Sequence, residues 1–251
     1  DQEMSRGLGD VYKRQVDVTA IIDSRPDAPE SDIAELFAGA VVTGSSGRRG
    51  LGHVTVRRAD GSRKHLDCGA LAVSGGWNPN VHLTCHHRGR PRWQEDIAAF
   101  VPGDGVPAGM NVAGAARGIF STAGALADGQ AAALAHLSDL GIKAAQARLP
   151  EAEDAPVGIT PLWHVGGTKR AWLDQQNDVT VKDVGLAHQE NFRAVEHLKR
   201  YTTLGMAGDQ GRTSNVLGLA IMAELTGKTI AETGTTILSL IHISEPTRHL
   251  L

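Results

Sequence analysis

Aromatic side chains are scarce, at 4% of 251 residues, and there are only two cysteines, Cys68 and Cys85. Two cysteines exclude a disulfide framework, and such usage fits a reducing cytoplasm. No apolar run approaches the ~20 residues that span a bilayer, so no membrane partner is expected. The formal net charge is −3 and no basic stretch stands out, which argues against nucleic acid as a partner. The group His82, Cys85, His86 and His87 has no second pair at finger spacing. Adjacent His86 and His87 point to different sides of an extended chain, so no metal site is expected there. Ser74 and these histidines lack a third member with the spacing logic of a triad.

Glycine is abundant instead, with 30 residues, and 41% of the chain is hydrophobic and 21% charged. This suits an α/β protein of one or two domains, in which Gly and Ala let helices pack closely on sheets. The two ends read as foreign sequence. DVYKRQ at 10–15 is the translation of a transposon-end adapter, and LSLIHISEPTR at 238–248 is its opposite strand read into the flanking primer. Residues 1–15 and 237–251 are therefore set aside as non-native tails, and the rest is expected to be a fragment of a longer reading frame.

Along the chain, Val16–Ile22 alternates and is rich in β-branched residues, which predicts a buried strand. Ser31 is placed to cap a short helix over Asp32–Ala38. Ala40–Gly44 reads as a strand. Gly52–Arg58 and Arg63–Val73 flank Asp60-Gly61, a hairpin signal. Met110–Gly114 reads as a short strand and Ile119–Leu140 as a helix. Residues 150–167, acidic and proline-containing, read as a linker between a domain over 16–149 and a module over 168–236. In that module Val181–Glu190, Phe192–Leu204 and Thr213–Leu225 show helical spacing.

Asp23 directly follows the first strand. In a Rossmann unit, an acid at such a strand end accepts hydrogen bonds from a ribose hydroxyl pair. Arg25 beside it is able to pair with Asp23 or with a phosphate, and the sequence leaves both open. The pyrophosphate-binding glycine turn of such a unit would precede residue 16. Cys68–Asn80 (CGALAVSGGWNPN) resembles the strand and turn of two-dinucleotide flavoprotein folds, with Gly75 and Gly76 in the turn. VAGAARG at Val112–Gly118 resembles the returning strand and helix start that close over the dinucleotide there. Backbone N–H groups at that start can face a pyrophosphate, which makes Gly114, Ala115 and Gly118 candidates. The alternative for these glycines is tight helix–sheet packing.

The stretch QNDVTVKDVGLAHQENFRAVEHLKRYTTLGMAGDQGRTSNVLGLAI resembles the module that follows the dinucleotide region in the alpha subunit of heterotetrameric sarcosine oxidase. VEHLKRYTTLGM and DQG-TSNV are its anchors. A more distant likeness is to the small helical [2Fe–2S] domain of the bacterioferritin-associated ferredoxin type. The four positions matching that family's cysteines hold Asp174, Gln176, Asp209 and Ser214, none a thiolate, so no iron–sulfur cluster is expected. Asp209 and Thr213 or Ser214 are expected to cap the last helix instead.

The resemblance implies an α/β fold: the C-terminal part of a two-dinucleotide (FAD/NAD(P)-binding, Rossmann-like) domain, then a cysteine-less helical module. It implies NAD on this chain, FMN at the interface with a beta subunit, FAD on that partner, and tetrahydrofolate in a C-terminal domain beyond Glu232–Thr236. It implies beta, gamma and delta subunits as partners. The activity implied is oxidative demethylation of sarcosine to glycine, with hydrogen peroxide and formaldehyde or methylene-tetrahydrofolate. No catalytic residue is expected here. Two alternatives stand: a subunit of a related amine or opine oxidoreductase, and a non-catalytic dinucleotide-binding interaction module.

Overall fold

The computed structural model describes residues 16–154, 158–167 and 170–234. The sequence-predicted tails, and part of the predicted linker, lie outside these. The described residues divide into two compact units, one comprising 16–74 with 165–167, the other 75–154, 158–164 and 170–234.

The first unit is built from short strands. β1 (Ala20–Asp23) pairs in parallel with β2 (Glu35–Ala38), Ala20 facing Glu35 and Asp23 facing Ala38. β3 (Val41–Ser46), β4 (His53–Arg57) and β5 (Arg63–Asp67) form an antiparallel meander. The hairpin reads from sequence as it folds. Gly61 takes φ +81, Asp60 accepts the Ser62 N–H at 2.8 Å, and Arg58 N–H donates to Ser62 O at 2.9 Å. Positive φ at that point is what glycine supplies without steric cost. Phe37, Ala40, Val54, Val56 and Leu66 make the core.

Several predicted elements are corrected. Residues 35–38 form a strand, not the C-terminal half of a helix. The Ser31 hydroxyl accepts from Ile33 N–H at 3.2 Å in a local turn. A seven-residue helix has too few internal bonds to offset its nucleation cost, whereas pairing with β1 buries Phe37. The strand expected over 16–22 begins only at Ala20 and runs to Asp23. The strand expected to reach Val73 ends at Asp67, because its partner β4 begins at His53, the residue opposite. Cys68–Asn80 therefore carries no strand.

In the second unit, β6 (Arg92–Gln94) and β7 (Ala99–Val101) form a small hairpin. Ile97, Ala99 and Val101 pack with Phe120 and Ile159. Met110–Gly114 is not a strand; Gly114–Arg117 is a turn of 3-10 helix bracketed by Gly114 at φ +63 and Gly118 at φ +92. Left-handed backbone at both ends does not fit a ladder. The predicted long helix is present as α1 (Thr122–Asp139), with Ser121 as N-cap.

The rest is helical. β8 (Trp172–Asp174) and β9 (Val179–Thr180) make a short hairpin that leads into α2 (Val181–Gln189). The Asp183 carboxylate accepts from Thr180 N and Oγ1, both at 2.7 Å, which satisfies donors at the start of α2. α3 (Val195–Thr202), α4 (Asn215–Thr226) and the single turn α5 (Ile230–Thr233) follow. Leu173, Val179, Val184, Ala187, Leu198, Leu204, Ile221 and Met222 form one core. Gly218–Ala223 is buried without interruption, so α4 is the central helix. Among the described residues, no helix is long and apolar enough to cross a membrane.

Two glycines of this bundle test its packing with opposite signs. A Cβ on Gly218 would fall on the Leu204 side chain, which is fully buried, while a Cβ on Gly185 in α2 meets nothing within 4 Å. Gly→Ala gains up to ~1 kcal/mol of helix propensity, and overpacking a core costs about 1–3 kcal/mol. We expect Gly218→Ala to lower stability by about 1–2 kcal/mol and Gly185→Ala to raise it by up to about 1 kcal/mol. Urea midpoints of the two variants check both signs.

Candidate functional site

The candidate site residues are divided between the units. Asp23 belongs to the first unit, and Gly75, Gly76, Gly114, Ala115 and Gly118 belong to the second.

Asp23 closes β1, at the carboxyl end of the parallel pair. Open α/β sheets bind ligands beyond such ends. Its Oδ1 accepts Arg25 N at 2.9 Å and Arg25 Nε at 3.0 Å, and its Oδ2 accepts Arg25 Nη2 at 2.7 Å. Of the two partners left open by the sequence, Arg25 takes Asp23 in this structure. These side-chain bonds, against a small burial penalty, hold the carboxyl below the usual carboxylate range. Both oxygens are engaged, so a ribose hydroxyl pair would compete with the guanidinium.

Gly75 and Gly76 lie in irregular chain. Gly76 takes φ +100, but a Cβ on it would meet only Ile159 at 3.7 Å, and one on Gly75 would meet nothing. They do not frame a close cradle. Gly114 N–H donates to Asp128 Oδ2 at 2.9 Å, and Asp128 Oδ1 accepts Arg117 Nη1 at 2.8 Å. The N–H expected to face a pyrophosphate is thus taken by the chain's own carboxylate. A Cβ on Gly118 would lie 2.8 Å from Val101 Cγ1 and 2.9 Å from Ile97 Cδ1. Here the packing alternative describes the glycine. Ala115 is exposed.

The start of α1 is occupied in the same manner. Ser121 Oγ accepts Gly124 N–H at 3.1 Å. Asp154 reaches across 31 residues, and its two carboxylate oxygens accept Ala123 N–H at 3.0 and 3.1 Å. Sequence reasoning missed both Asp128 and Asp154 as partners. Asp128 carried a local signal, since it lies in the helix that follows Gly114. Asp154 had none, being one acid in an acidic stretch.

In the helical module, three of the four positions matching the cysteines, Asp174, Gln176 and Asp209, make side-chain hydrogen bonds. Asp174 is buried and accepts three backbone donors, Gln176 at 2.9 Å, Asn177 at 3.1 Å and Gly205 at 2.8 Å. Gln176 Oε1 accepts Asp209 N–H at 3.4 Å. Asp209 accepts from Gly211 N and from Thr213 Oγ1. Asp209 therefore closes the turn before α4 and does not cap the helix. Ser214 stands at the N-cap position, but with helical backbone and no cap bond from its side chain, and its buried hydroxyl has no partner. The capping expectation is corrected at Asp209 and Ser214, in a turn where the positive-φ glycines Gly205 and Gly211 pack against the Asn215 side chain. Among the described residues, no group of three or more His, Cys, Asp or Glu side chains is placed to hold a metal. The side chains of His86 and His87 lie outside the description.

A family profile described as the sarcosine oxidase A3 domain matches residues 168–240. The sarcosine oxidase subunit alpha of Rhizobium meliloti (strain 1021) is 40% identical over 226 residues, covering 88% of this chain and 23% of that protein. The subunit of the same name from Corynebacterium sp. (strain U-96) is 36% identical over 242 residues, covering 87% of this chain and 25% of that protein. The chain thus spans about a quarter of the length of these relatives. The crystal structure of L-proline dehydrogenase from P. horikoshii aligns with a TM-score of 0.64 and 16% identity, over 87% of this chain and 47% of that one. That likeness shows a shared fold and nothing further.

Asp154 yields a prediction on pH. The Ala123 N–H foremost, and hydroxyl and N–H donors nearby, hold its carboxyl below the usual range. A depressed folded-state pKa stabilises fully above the unfolded value of about 3.9 and is lost as pH falls through the folded value. Asp154→Asn is expected to lower the urea midpoint at neutral pH and to flatten the acid limb below about pH 4. A midpoint and acid limb both unchanged would mean that this contact contributes nothing in solution.

Proposed function

The chain belongs to the sarcosine oxidase alpha-subunit family over the segment it spans, and we propose that it serves there as the dinucleotide-holding and subunit-docking part of such a complex. The reaction we propose for the assembled complex is oxidative demethylation of sarcosine to glycine. Hydrogen peroxide and formaldehyde or methylene-tetrahydrofolate would be the other products. The single observation that carries this reading is 40% identity maintained over 88% of the chain with a named sarcosine oxidase subunit alpha.

NAD is the cofactor we assign to this chain, and when bound it supplies hydride chemistry. The residues fit it in part. Asp23, at the carboxyl end of a parallel strand, is the acid a ribose needs. The N–H groups of Gly114 and Ala123 are donors of the right kind for phosphate, but Asp128 and Asp154 occupy them. Asp154, the exposed one of the two, is the easier to displace. FMN at an interface with a beta subunit, FAD on that subunit, a folate domain beyond this segment, and gamma and delta subunits complete the proposed assembly. The helical module we read as the fold of a small [2Fe–2S] domain without its cluster. Three of the four non-thiolate residues, Asp174, Gln176 and Asp209, tie by hydrogen bonds the loops that cysteines and iron tie elsewhere, while the Ser214 hydroxyl has no partner. No side chain here is assigned to the chemistry on the amine.

A chimera tests the proposal. Residues 16–234 replace the matching segment of the Rhizobium meliloti subunit alpha, produced with its partner subunits. We expect an assembled complex that forms peroxide when given sarcosine. An assembled complex that ignores sarcosine but oxidises another secondary amine would move the assignment to a related oxidoreductase. Failure to assemble, with all partners folded, would overturn the docking role.

A further inference from the structure

The outer face of the β3–β4–β5 meander carries a pair of imidazoles that the reading above does not use. Register places His53 opposite Asp67 and Thr55 opposite His65, while the alternate residues Val54, Val56 and Leu66 face the core. The two histidine rings lie 5.4 Å apart, centre to centre, in an edge-on arrangement. Two imidazoles sharing one tetrahedral ion need nearly this spacing. With metal–nitrogen bonds of about 2.0–2.1 Å and a ring centre about 1.1 Å further on, the ring centres fall about 5.2 Å apart.

The surroundings fit the same chemistry. Thr55 Oγ1 lies 3.1 Å from His65 Nδ1. A hydroxyl there fixes the ring and leaves Nε2 as the coordinating atom, as outer hydrogen-bond partners do for metal-bound histidines. The face is open beside Thr55: Gly44, its β3 neighbour, would place a Cβ with nothing within 4 Å. Ser46 lies beside His53 on β3. Asp67 adds negative charge on this face, and Arg57 and Arg63, which face each other further along, add positive charge. The antiparallel β4–β5 ladder runs without a register shift, so it holds both rings on one rigid ribbon.

We propose that His53 and His65 bind a borderline divalent transition ion, zinc or copper(II), with water completing the coordination. The ion bridges β4 and β5. Copper(II) binds tighter than zinc, since both donors are imidazole nitrogens. The hard ions magnesium and calcium, which take oxygen ligands, do not bind.

Calorimetric titration of the full chain with zinc chloride and copper chloride tests this, beside His53→Gln, His65→Gln, Thr55→Val and His197→Gln. His197 serves as a control in the other unit. Each of the first two substitutions is expected to weaken binding about tenfold or more, Thr55→Val less, and His197→Gln not at all. Circular dichroism shows whether each variant is folded, which both outward-facing positions allow. Equal binding by the wild type, His53→Gln and His65→Gln would overturn the proposal, as would no binding at millimolar metal. Neither result bears on the chimera experiment, so the two readings fail separately.

Discussion

A backbone N–H withdrawn from water must find an acceptor, and in this chain the acceptor is repeatedly a carboxylate. Asp174 gathers three such donors in the core of the helical module. Asp183 and Glu232 close the starts of α2 and α5 from within their first turns. Asp128 takes Gly114, and Asp154 takes the start of α1. The reason is energetic. A charge-assisted bond to a backbone N–H is about twice as strong as a neutral one, and a buried donor left unpaired costs about 1–3 kcal/mol. The short strands and brief helices of both units have many ends in proportion to their length, so such acceptors decide where the chain turns.

The same constraint shapes the candidate site. A helix start with free N–H groups and a glycine turn is an anion site in principle. Here both sets of donors already hold an internal anion, and the acid expected to take a ribose is itself held by Arg25. In each unit taken by itself, a ligand on these residues would exchange with an internal partner and not fill a vacant position. Exchange is easiest where the internal anion is exposed and comes from irregular chain, as with Asp154, and hardest where it is mostly enclosed and also ion-paired, as with Asp128 and Arg117.

The loops of the helical module are fastened by side-chain hydrogen bonds. Asp174 accepts Gly205 N–H and Gln176 accepts Asp209 N–H, which fastens the hairpin of β8 and β9 to the loop over 205–209. Asn215 fills the space beside Gly205 and Gly211, where any Cβ would collide with it. Those glycines are needed for that close approach and for their positive φ, which a side chain would strain.

The chain's sequence by itself determined the elements whose signals are local. The three helices of the module begin and end within a few residues of their predicted bounds, since apolar spacing lies within one or two turns. The Asp60-Gly61 hairpin was legible for the same reason. So was the family, because forty continuous residues carry it. The rest depended on partners remote in sequence. Residues 35–38 became a strand because β1 offered a parallel edge, 63–73 stopped at Asp67 because β4 ran out, and Gly118 has no room for a Cβ because Val101 and Ile97 stand above it. The carboxylates that Gly114 and the start of α1 face in this structure, Asp128 and Asp154, lie 14 and 31 residues from the donors they take. Periodicity reports which face of an element is apolar. Which acceptor reaches a given N–H is decided only when the chain returns on itself.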